Sequence, residues 1–503
     1  MGKYLLGIDN GGTLIKAALF TEDGREIAIA SRTTPLITPK PGYTERDMES
    51  MWEANCACIR ELISGSGIDP KEIAGAAVCG HGKGLYPWGK HGKPAYHGIV
   101  STDNRAWQYP EKWKLNGIFA AQYPKLCQHI MACQPISLLA WMKEHDPAVY
   151  QNIRYAFSGT DYIRFMLTGE AFLEATLISG SGLINVRDAV YDRELLAAFG
   201  IEEVFDMLPP MRYSSDSCGK ITVAAAKATG LACGTPVAGG MFDIDSCAIA
   251  MSVTKPEHFC TITGTWSINE FITKTPVLNT AVAMNSLYAI PGYYLLEESS
   301  ATGAGNLEWV IKNCLENERL PEGKKLYAHI DDLVEGTAID AGDVYFLPFL
   351  YGSNRHALAK ASFIGLTSFH NKVHLLRSVF EGVAFSAKSH IDKLLSVRTV
   401  PKAVRLAGGA ANSKLWVQMF ADILGIPVET VTGVKELGAL GCAMAAAVAA
   451  GIYRDYPEAA ATMVRINTPV DPIEANSALY RPKYEKYTAI CEALDTVWRR
   501  FEV

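Results

Sequence analysis

The chain opens on Tyr4-Leu5-Leu6-Gly7-Ile8-Asp9-Asn10-Gly11-Gly12-Thr13. A short apolar run ends in a carboxylate and a turn of small residues. Leu14 to Phe20 (LIKAALF) reads as the returning strand of a hairpin, closed by Asp23-Gly24, with a third strand at Ile27–Ser31. The same grammar recurs twice. Phe259 to Thr263 runs into Gly264-Thr265-Trp266-Ser267, and Ala403 to Ala407 runs into Gly408-Gly409-Ala410-Ala411-Asn412. Ile73 to Cys79 reads as a buried strand ending in the flexible loop Gly80-His81-Gly82-Lys83-Gly84, and Val237–Met241 is strand-like. Helical patterns lie between: Met48 to Ser64, one beginning at Asp161, Ile244 to Met251 opened by Asp243, and Lys414 to Leu424. Alternating strands and helices with small-residue loops after the strands define an α/β fold, in which ligands bind at the carboxyl ends of strands. The recurrence points to two related α/β domains facing one cleft.

Length agrees. A chain of 503 residues exceeds what one core supports, since single cores stop growing near ~250–300 residues. The expected division is 1–249 and 250–503. The formal charge of −6, from 47 basic and 53 acidic residues, leaves no electrostatic footprint for nucleic acid. The first apolar run is too short for a signal peptide. The most apolar stretch, Leu437 to Ala450, is Ala/Gly-rich and shorter than a membrane span, so it reads as a buried, closely packed helix. The twelve cysteines show no zinc or disulfide spacing and read as reduced core residues of a cytoplasmic protein. Trp52, Trp88, Trp107, Trp266 and Trp309 read mostly as packing residues.

Several residues carry candidate chemistry. In Asp9-Asn10-Gly11-Gly12-Thr13, glycines let backbone N–H groups approach an anion, Thr13 adds a hydroxyl, and Asp9 suits a hydrated Mg²⁺. An ordinary hairpin turn explains the same residues. Gly264-Thr265 and Gly408-Gly409 are equally plain alone, but three such turns together suit phosphates, which need several converging donors. Asp243 follows a strand ending in Gly239-Gly240. It suits either a helix N-cap or a general base taking a proton from an alcohol, and Asp245 competes for both roles. His81, Lys83, Asp103 and Arg105 suit hydroxyl recognition, and equally a surface histidine, a loop lysine and an ion pair.

The chain also resembles the FGGY carbohydrate kinases, within the actin/hexokinase/Hsp70-like superfamily. The residues are Ala361-x-Phe363-x-Gly365-Leu366, then His374-Leu375-x-x-Ser378-Val379-Phe380-Glu381. The segment from Cys133-Gln134-Pro135 to Trp141-Met142-Lys143 departs from the family pattern at Cys133 and Leu138, and Ala304 stands where the nucleotide segment usually has Gly. The resemblance implies two actin-like (ribonuclease H-like) domains with a catalytic cleft between them. It implies that Asp9 holds the metal, that Thr13, Gly264, Thr265, Asn306, Gly408, Gly409 and Asn412 meet ATP, and that Asp243, not Asp245, is the catalytic base. It places the sugar at His81, Lys83, Asp103, Arg105 and Asp243.

Within the family, Pro41-Gly42-Tyr43-Thr44-Glu45-Arg46-Asp47-Met48, Gly82-Lys83-Gly84-Leu85, Ser101-Thr102-Asp103-Asn104-Arg105-Ala106 and Phe349–Asn354 (FLYGSN) resemble L-xylulose kinases, including those acting on 3-keto-L-gulonate. The expected activity is Mg²⁺- and ATP-dependent phosphorylation of a terminal hydroxyl on a small keto sugar. D-Xylulose, L-ribulose, glycerol and tetritols are alternative acceptors, and a nucleotide-gated binding protein on the same fold is the alternative of another class. Neither nucleic acid nor membrane is an expected partner. Homodimers are common among such enzymes, although no interface motif is legible.

Overall fold

The computed structural model describes residues 3–501 except 13, 281, 283, 315–319 and 357. The candidate residue Thr13 therefore lies outside the described residues. The opening hairpin forms as its pattern requires. Strand β1 (Tyr4–Asn10) pairs antiparallel with β2 (Leu14–Thr21), and β2 with β3 (Glu26–Thr33). Helix α1 (Met48–Ser66) follows, with Asp47 accepting from the Ser50 N–H at its start and Gly67 closing it in the left-handed conformation. Its apolar face packs Met51, Cys58, Ile59 and Leu62 into the first core.

Strand β4 (Ile73–Gly80) then lies parallel to β1. Strands β5 (Ser217–Lys220), β6 (Pro236–Ala238) and β7 (Met241–Phe242) complete a seven-stranded sheet of order β5-β6-β4-β1-β2-β3, with β7 also on β4. The single strand expected over Val237–Met241 is thus two short ones. Gly239 and Gly240 break it where the backbone passes against Tyr213 and Val78. Helix α2 (Asp243–Ala250) starts immediately after β7. Asp161 lies in the first turn of the helix Gly159–Thr168 and does not begin it; Ser158 is the cap, in a reciprocal pair with Asp161.

The second sheet contains β8 (Phe259–Thr263), β9 (Ser267–Thr273), β10 (Met284–Leu287), β11 (Tyr294–Ser300), β12 (Val404–Gly408) and β13 (Val428–Thr430), in the order β10-β11-β9-β8-β12-β13. The run β11-β9-β8-β12-β13 repeats β3-β2-β1-β4-β6: three antiparallel strands, then two parallel ones. The repeat agrees with the two related α/β domains to which the recurring strand–turn grammar pointed. Helices α3 (Lys372–Leu395) and α4 (Lys414–Leu424) cover one face of this sheet, with Phe380 against Trp416 at 4.4 Å between ring centroids.

Helix α5 (Leu437–Ala449) is buried nearly throughout and belongs spatially to the first sheet. It packs on β1, β4 and α2. The approach is backbone to backbone. A Cβ on Gly7 would lie 1.8 Å from the Ala439 carbonyl oxygen, and one on Gly441 would lie 2.1 Å from that of Ser246. Ser246 Oγ donates to the Gly438 carbonyl at 2.7 Å. The Ala/Gly-rich composition of this stretch, which excluded a membrane span, is what permits the contact. Among the described residues no helix is long and apolar enough to cross a membrane.

Of the twelve cysteines, nine are buried, Cys247 is half-buried, and Cys233 and Cys314 are exposed. Trp107, Trp266 and Trp309 stand 53, 48 and 40% exposed, so packing does not account for them.

Gly7→Ala forces a methyl into a backbone oxygen that no rotamer change can move. Overpacking usually costs about 1–3 kcal/mol, and here the upper end or more is expected. The readout is the thermal unfolding midpoint, and an unchanged midpoint would refute the close approach.

Candidate active site

The parallel strands β1, β4 and β7 end side by side, since Asp9 is opposite Cys79, Asn10 opposite Gly80, and Phe242 opposite Gly80. Asp9, the loop Gly80–Gly84 and Asp243 therefore emerge along one edge of the first sheet. In the second sheet Thr263 lies opposite Gly408. This brings Gly264-Thr265 beside Gly408-Gly409. The sequence spacing gave no direct measure of either meeting; the parallel register creates both.

Asp243 is the first residue of α2; Phe242 holds the N-cap position without a side-chain cap, and the Ile244 N–H favours the Asp243 carboxylate. Burial, then the negative charge of Asp9, push its carboxyl well above the usual carboxylate range; Glu297 adds to this, and Lys83 opposes it. Asp245 is different. It is fully buried and accepts from the Ala289 N–H at 3.2 Å, facing the interior and not the cleft. Asp9 is raised to about 6, chiefly by burial. Its Oδ1 is buried without a hydrogen-bond partner. Lys16 lies directly opposite Asp9 across the hairpin, draws its pKa down, and is held by Glu436 at 2.7 Å. Lys16 was absent from the expected site. The period-2 alternation of the hairpin was the signal for it, because an opposed pair shares one face.

The remaining candidates divide. Lys83 is half-buried in the left-handed conformation at φ 63°, and its ammonium makes no ion pair or hydrogen bond among the described residues. The ring of Phe242 packs against Gly82, where a Cβ would meet it at 2.6 Å; this seats the Lys83 loop beside Asp243. His81 is turned away from the cleft: its Nε2 meets the Tyr86 hydroxyl at 3.0 Å, its Nδ1 is buried, and burial lowers its pKa to about 4.

Asp103 and Arg105 form an ion pair, and it is buried. Asp103 accepts from the Thr44 N–H at 2.6 Å, the Arg105 N–H at 2.9 Å and the guanidinium at 2.8 Å, while Arg105 also reaches Glu45 at 2.7 Å. Every oxygen of Asp103 is spent on joining the 41–48 and 98–105 segments. The Asp103 oxygens are thus engaged, whereas Arg105 Nη1 is buried with no hydrogen-bond partner and keeps a donor in reserve.

In the second domain a cleft of ≈ 460 Å³ is lined by Gly264, Thr265, Gly409, Asn412, Tyr327 and Trp416, among others. Its size suits a small-molecule ligand, for which about 300–1,000 Å³ is usual. Four of the expected nucleotide residues thus converge. Gly408 sits just behind, with φ 85°. Asn306 is buried outside the lining and donates to the Gly303 carbonyl at 3.1 Å. Ala304, in place of the usual Gly, faces Gly409 across the cleft wall. Tyr327 and Asp331 line the cleft without having been expected; both come from the helix Leu326–Glu335, which belongs to none of the three strand–turn motifs.

Comparison with known proteins accords with this arrangement. Residues 4–250 match the profile of the FGGY family of carbohydrate kinases, N-terminal domain, and residues 260–450 match that of its C-terminal domain. The L-xylulose/3-keto-L-gulonate kinase of Escherichia coli K12 is 35% identical over 497 residues, 98% of each chain. A probable L-xylulose kinase of Pasteurella multocida is 35% identical over 492 residues, covering 98% of this chain and 99% of that one. The crystal structure of gluconate kinase from Lactobacillus acidophilus shares the fold, with a TM-score of 0.89, 24% identity and 99% of each chain covered. With both domain profiles matched in order and the relatives aligned almost end to end, the chain belongs to the FGGY family of carbohydrate kinases.

Proposed function

We propose that the protein transfers the γ-phosphoryl group of ATP to a terminal hydroxyl of a small open-chain keto sugar, L-xylulose or 3-keto-L-gulonate before others. The carrying observation is a partly accessible carboxylate, Asp243, beside an unpaired ammonium, Lys83, at the mouth edge of the first sheet. The names of the 35%-identical relatives support the choice of sugar. Lys83 supports it on chemical grounds, because an unpaired cation welcomes a keto oxygen or a carboxylate.

Asp9 has the properties of a Mg²⁺ anchor. Its Oδ1 is orphaned and buried, and no cluster of three or more metal-ligating side chains exists among the described residues. Mg²⁺ is commonly held by one or two carboxylates and several waters. Bound ATP and Mg²⁺ supply the phosphoryl group and neutralise its oxygens. The protein's own part is positioning and proton transfer. The second-domain cleft, with Gly264, Thr265, Gly409 and Asn412, holds the nucleotide, and Gly11-Gly12 presents backbone donors from the first domain. Lys83 orients the sugar, and Asp243 accepts the hydroxyl proton as the oxygen attacks in line. We take 1–249, with α5 seated on its sheet, and the rest of 250–503 as the bodies that close on the substrates and exclude water.

The test of the reading is ADP release across a panel of L-xylulose, 3-keto-L-gulonate, D-xylulose, L-ribulose, glycerol and tetritols. Absence of ADP release with the first two sinks the proposed acceptor. Asp243→Asn is expected to keep ATP binding and lose at least about 100-fold in kcat, the scale of a lost general base. Near-parent turnover would reassign the base. Because a base acts only when ionised and the Asp243 pKa is raised, the acid limb of kcat/KM is expected well above the ordinary value of about 3.9.

Stability has the opposite sense. A carboxyl whose folded pKa is raised contributes most below its unfolded value and loses that contribution as pH rises through the folded one. With Asp9 at about 6, the ligand-free protein is expected to gain stability from pH 7 to 5, and Asp9→Asn to lessen the gain. Lys83→Gly separates strain from function. It relieves a left-handed residue worth about 1–2 kcal/mol, so thermal stability is expected to rise while sugar KM increases. A stable variant with unchanged sugar KM removes Lys83 from the sugar site.

A further inference from the structure

Among the described residues four arginines are buried, Arg46, Arg105, Arg164 and Arg377. Three are paired with carboxylates: Arg105 with Asp103 and Glu45, Arg164 with Asp161, Arg377 with Glu381. Arg46 is 1% exposed and has no ion pair among the described residues. Its Nη1 donates to the Gly11 carbonyl at 3.3 Å and its Nη2 to the Gly12 carbonyl, while its Nε is buried with no acceptor. Its charge acts on His81, held neutral by burial and then by Arg46, and on the Tyr86 hydroxyl. Neither supplies a negative charge at neutral pH. A buried cation without a counterion is costly, so its retention calls for an anion arriving from elsewhere.

The turn shows where. In a trans peptide the N–H points opposite to the C=O. With the Gly11 carbonyl held by Arg46, the N–H of the same peptide, that of Gly12, points away from the guanidinium. Gly12 is exposed, and nothing lies within 4 Å of where its Cβ would be. A hydrogen bond to a carbonyl also polarises its amide and strengthens the N–H as a donor.

We propose that Arg46 is a positioning residue for phosphoryl transfer. From behind the Gly11-Gly12 turn it fixes and polarises the backbone donors, and its charge is balanced when the phosphate oxygens of the nucleotide meet the front of the turn. The inference rests on the assignment of this turn to the phosphates.

The experiment uses the full-length protein and the variants Arg46→Gln, Arg46→Lys and Gly12→Val. The readouts are kcat, KM for sugar and ATP, and the thermal shift given by ADP with orthovanadate, a mimic of the group in flight. Arg46→Gln is expected to lose between about 10- and 100-fold in kcat, as residues that support a contacting group do. Its sugar KM stays within about twofold, its vanadate shift shrinks by half or more, and Arg46→Lys recovers part of both. A guanidinium that merely staples the turn predicts lower stability but parent kcat per folded molecule and an intact vanadate shift; that outcome overturns the proposal. If Arg46→Gln does not fold, Arg46→Lys decides, since it keeps the charge but cannot hold two carbonyls in a fork. Parent kcat in Arg46→Lys overturns the positioning role. Gly12→Val separates the two assignments. Unchanged ATP turnover in that variant removes the phosphates from the turn, whereas its loss beside a parent-like Arg46→Gln removes only Arg46.

Discussion

Everything at the site depends on one contact without side chains. Helix α5 lies on β1 and α2 so closely that Gly7 and Gly441 leave no room for a methyl. The Gly438 carbonyl at its start accepts from Ser246 Oγ and from Cys79 Sγ, so it is pinned between α2 and β4. Asp9 follows Gly7 by two residues, and Asp243 precedes Ser246 by three. The backbone contact thus sets the spacing of the two carboxylates more firmly than any side-chain interaction could, because peptide groups have no rotamers to yield. The first turn of α5 also faces Asp9: a Cβ on Gly438 would lie 3.0 Å from its Oδ2. A helix start favours negative charge nearby, which tempers the burial cost on that carboxylate.

The electrostatics of the edge are deliberately incomplete. The charge of Asp9 raises the need of Asp243 for a cation, and neither Lys83 nor Arg46 has an ion pair among the described residues. Some other buried charges are closed into pairs, Asp103, Arg105 and Glu45 among them, and Lys483 with Glu381 at 2.6 Å. Incomplete charges cost stability in the free protein and are compensated only by ligands of the opposite sign. A carbohydrate kinase has both kinds of partner at hand, a metal and a polyphosphate.

Strands and turns were legible because their signal is local. An apolar run followed by glycines forms the same element in almost any context, and β8 and α4 fall at the residues expected from the sequence. The recurring strand–turn grammar hinted at two related domains, but the repeat itself emerges only from the strand pairing. Side-chain destinations were less legible. Asp103 and Arg105 sit in a plausible sugar motif, yet Thr44 and Glu45, some sixty residues earlier, engage the Asp103 carboxylate and one edge of the guanidinium, leaving only Arg105 Nη1 without a partner. His81 is adjacent to the right loop but points inward to Tyr86. Lys16 and Arg46 became visible only with the register across the hairpin and the packing of α1 behind it. Local pattern carries the backbone, whereas hydrogen-bond partners are decided by segments far apart in the chain.

The placement of α5 also bears on how the protein is made. The first sheet draws all its strands from residues 4–242, but the helix that seals one of its faces begins only at Leu437. At synthesis rates of about 5–20 residues per second, that face waits on the order of tens of seconds for its cover. During that interval Leu5, Ala77 and Ala238 lack their eventual neighbours. The amino-terminal half is therefore an incomplete folding unit on the ribosome, and commitment to the native state waits for the segment Leu437–Ala449.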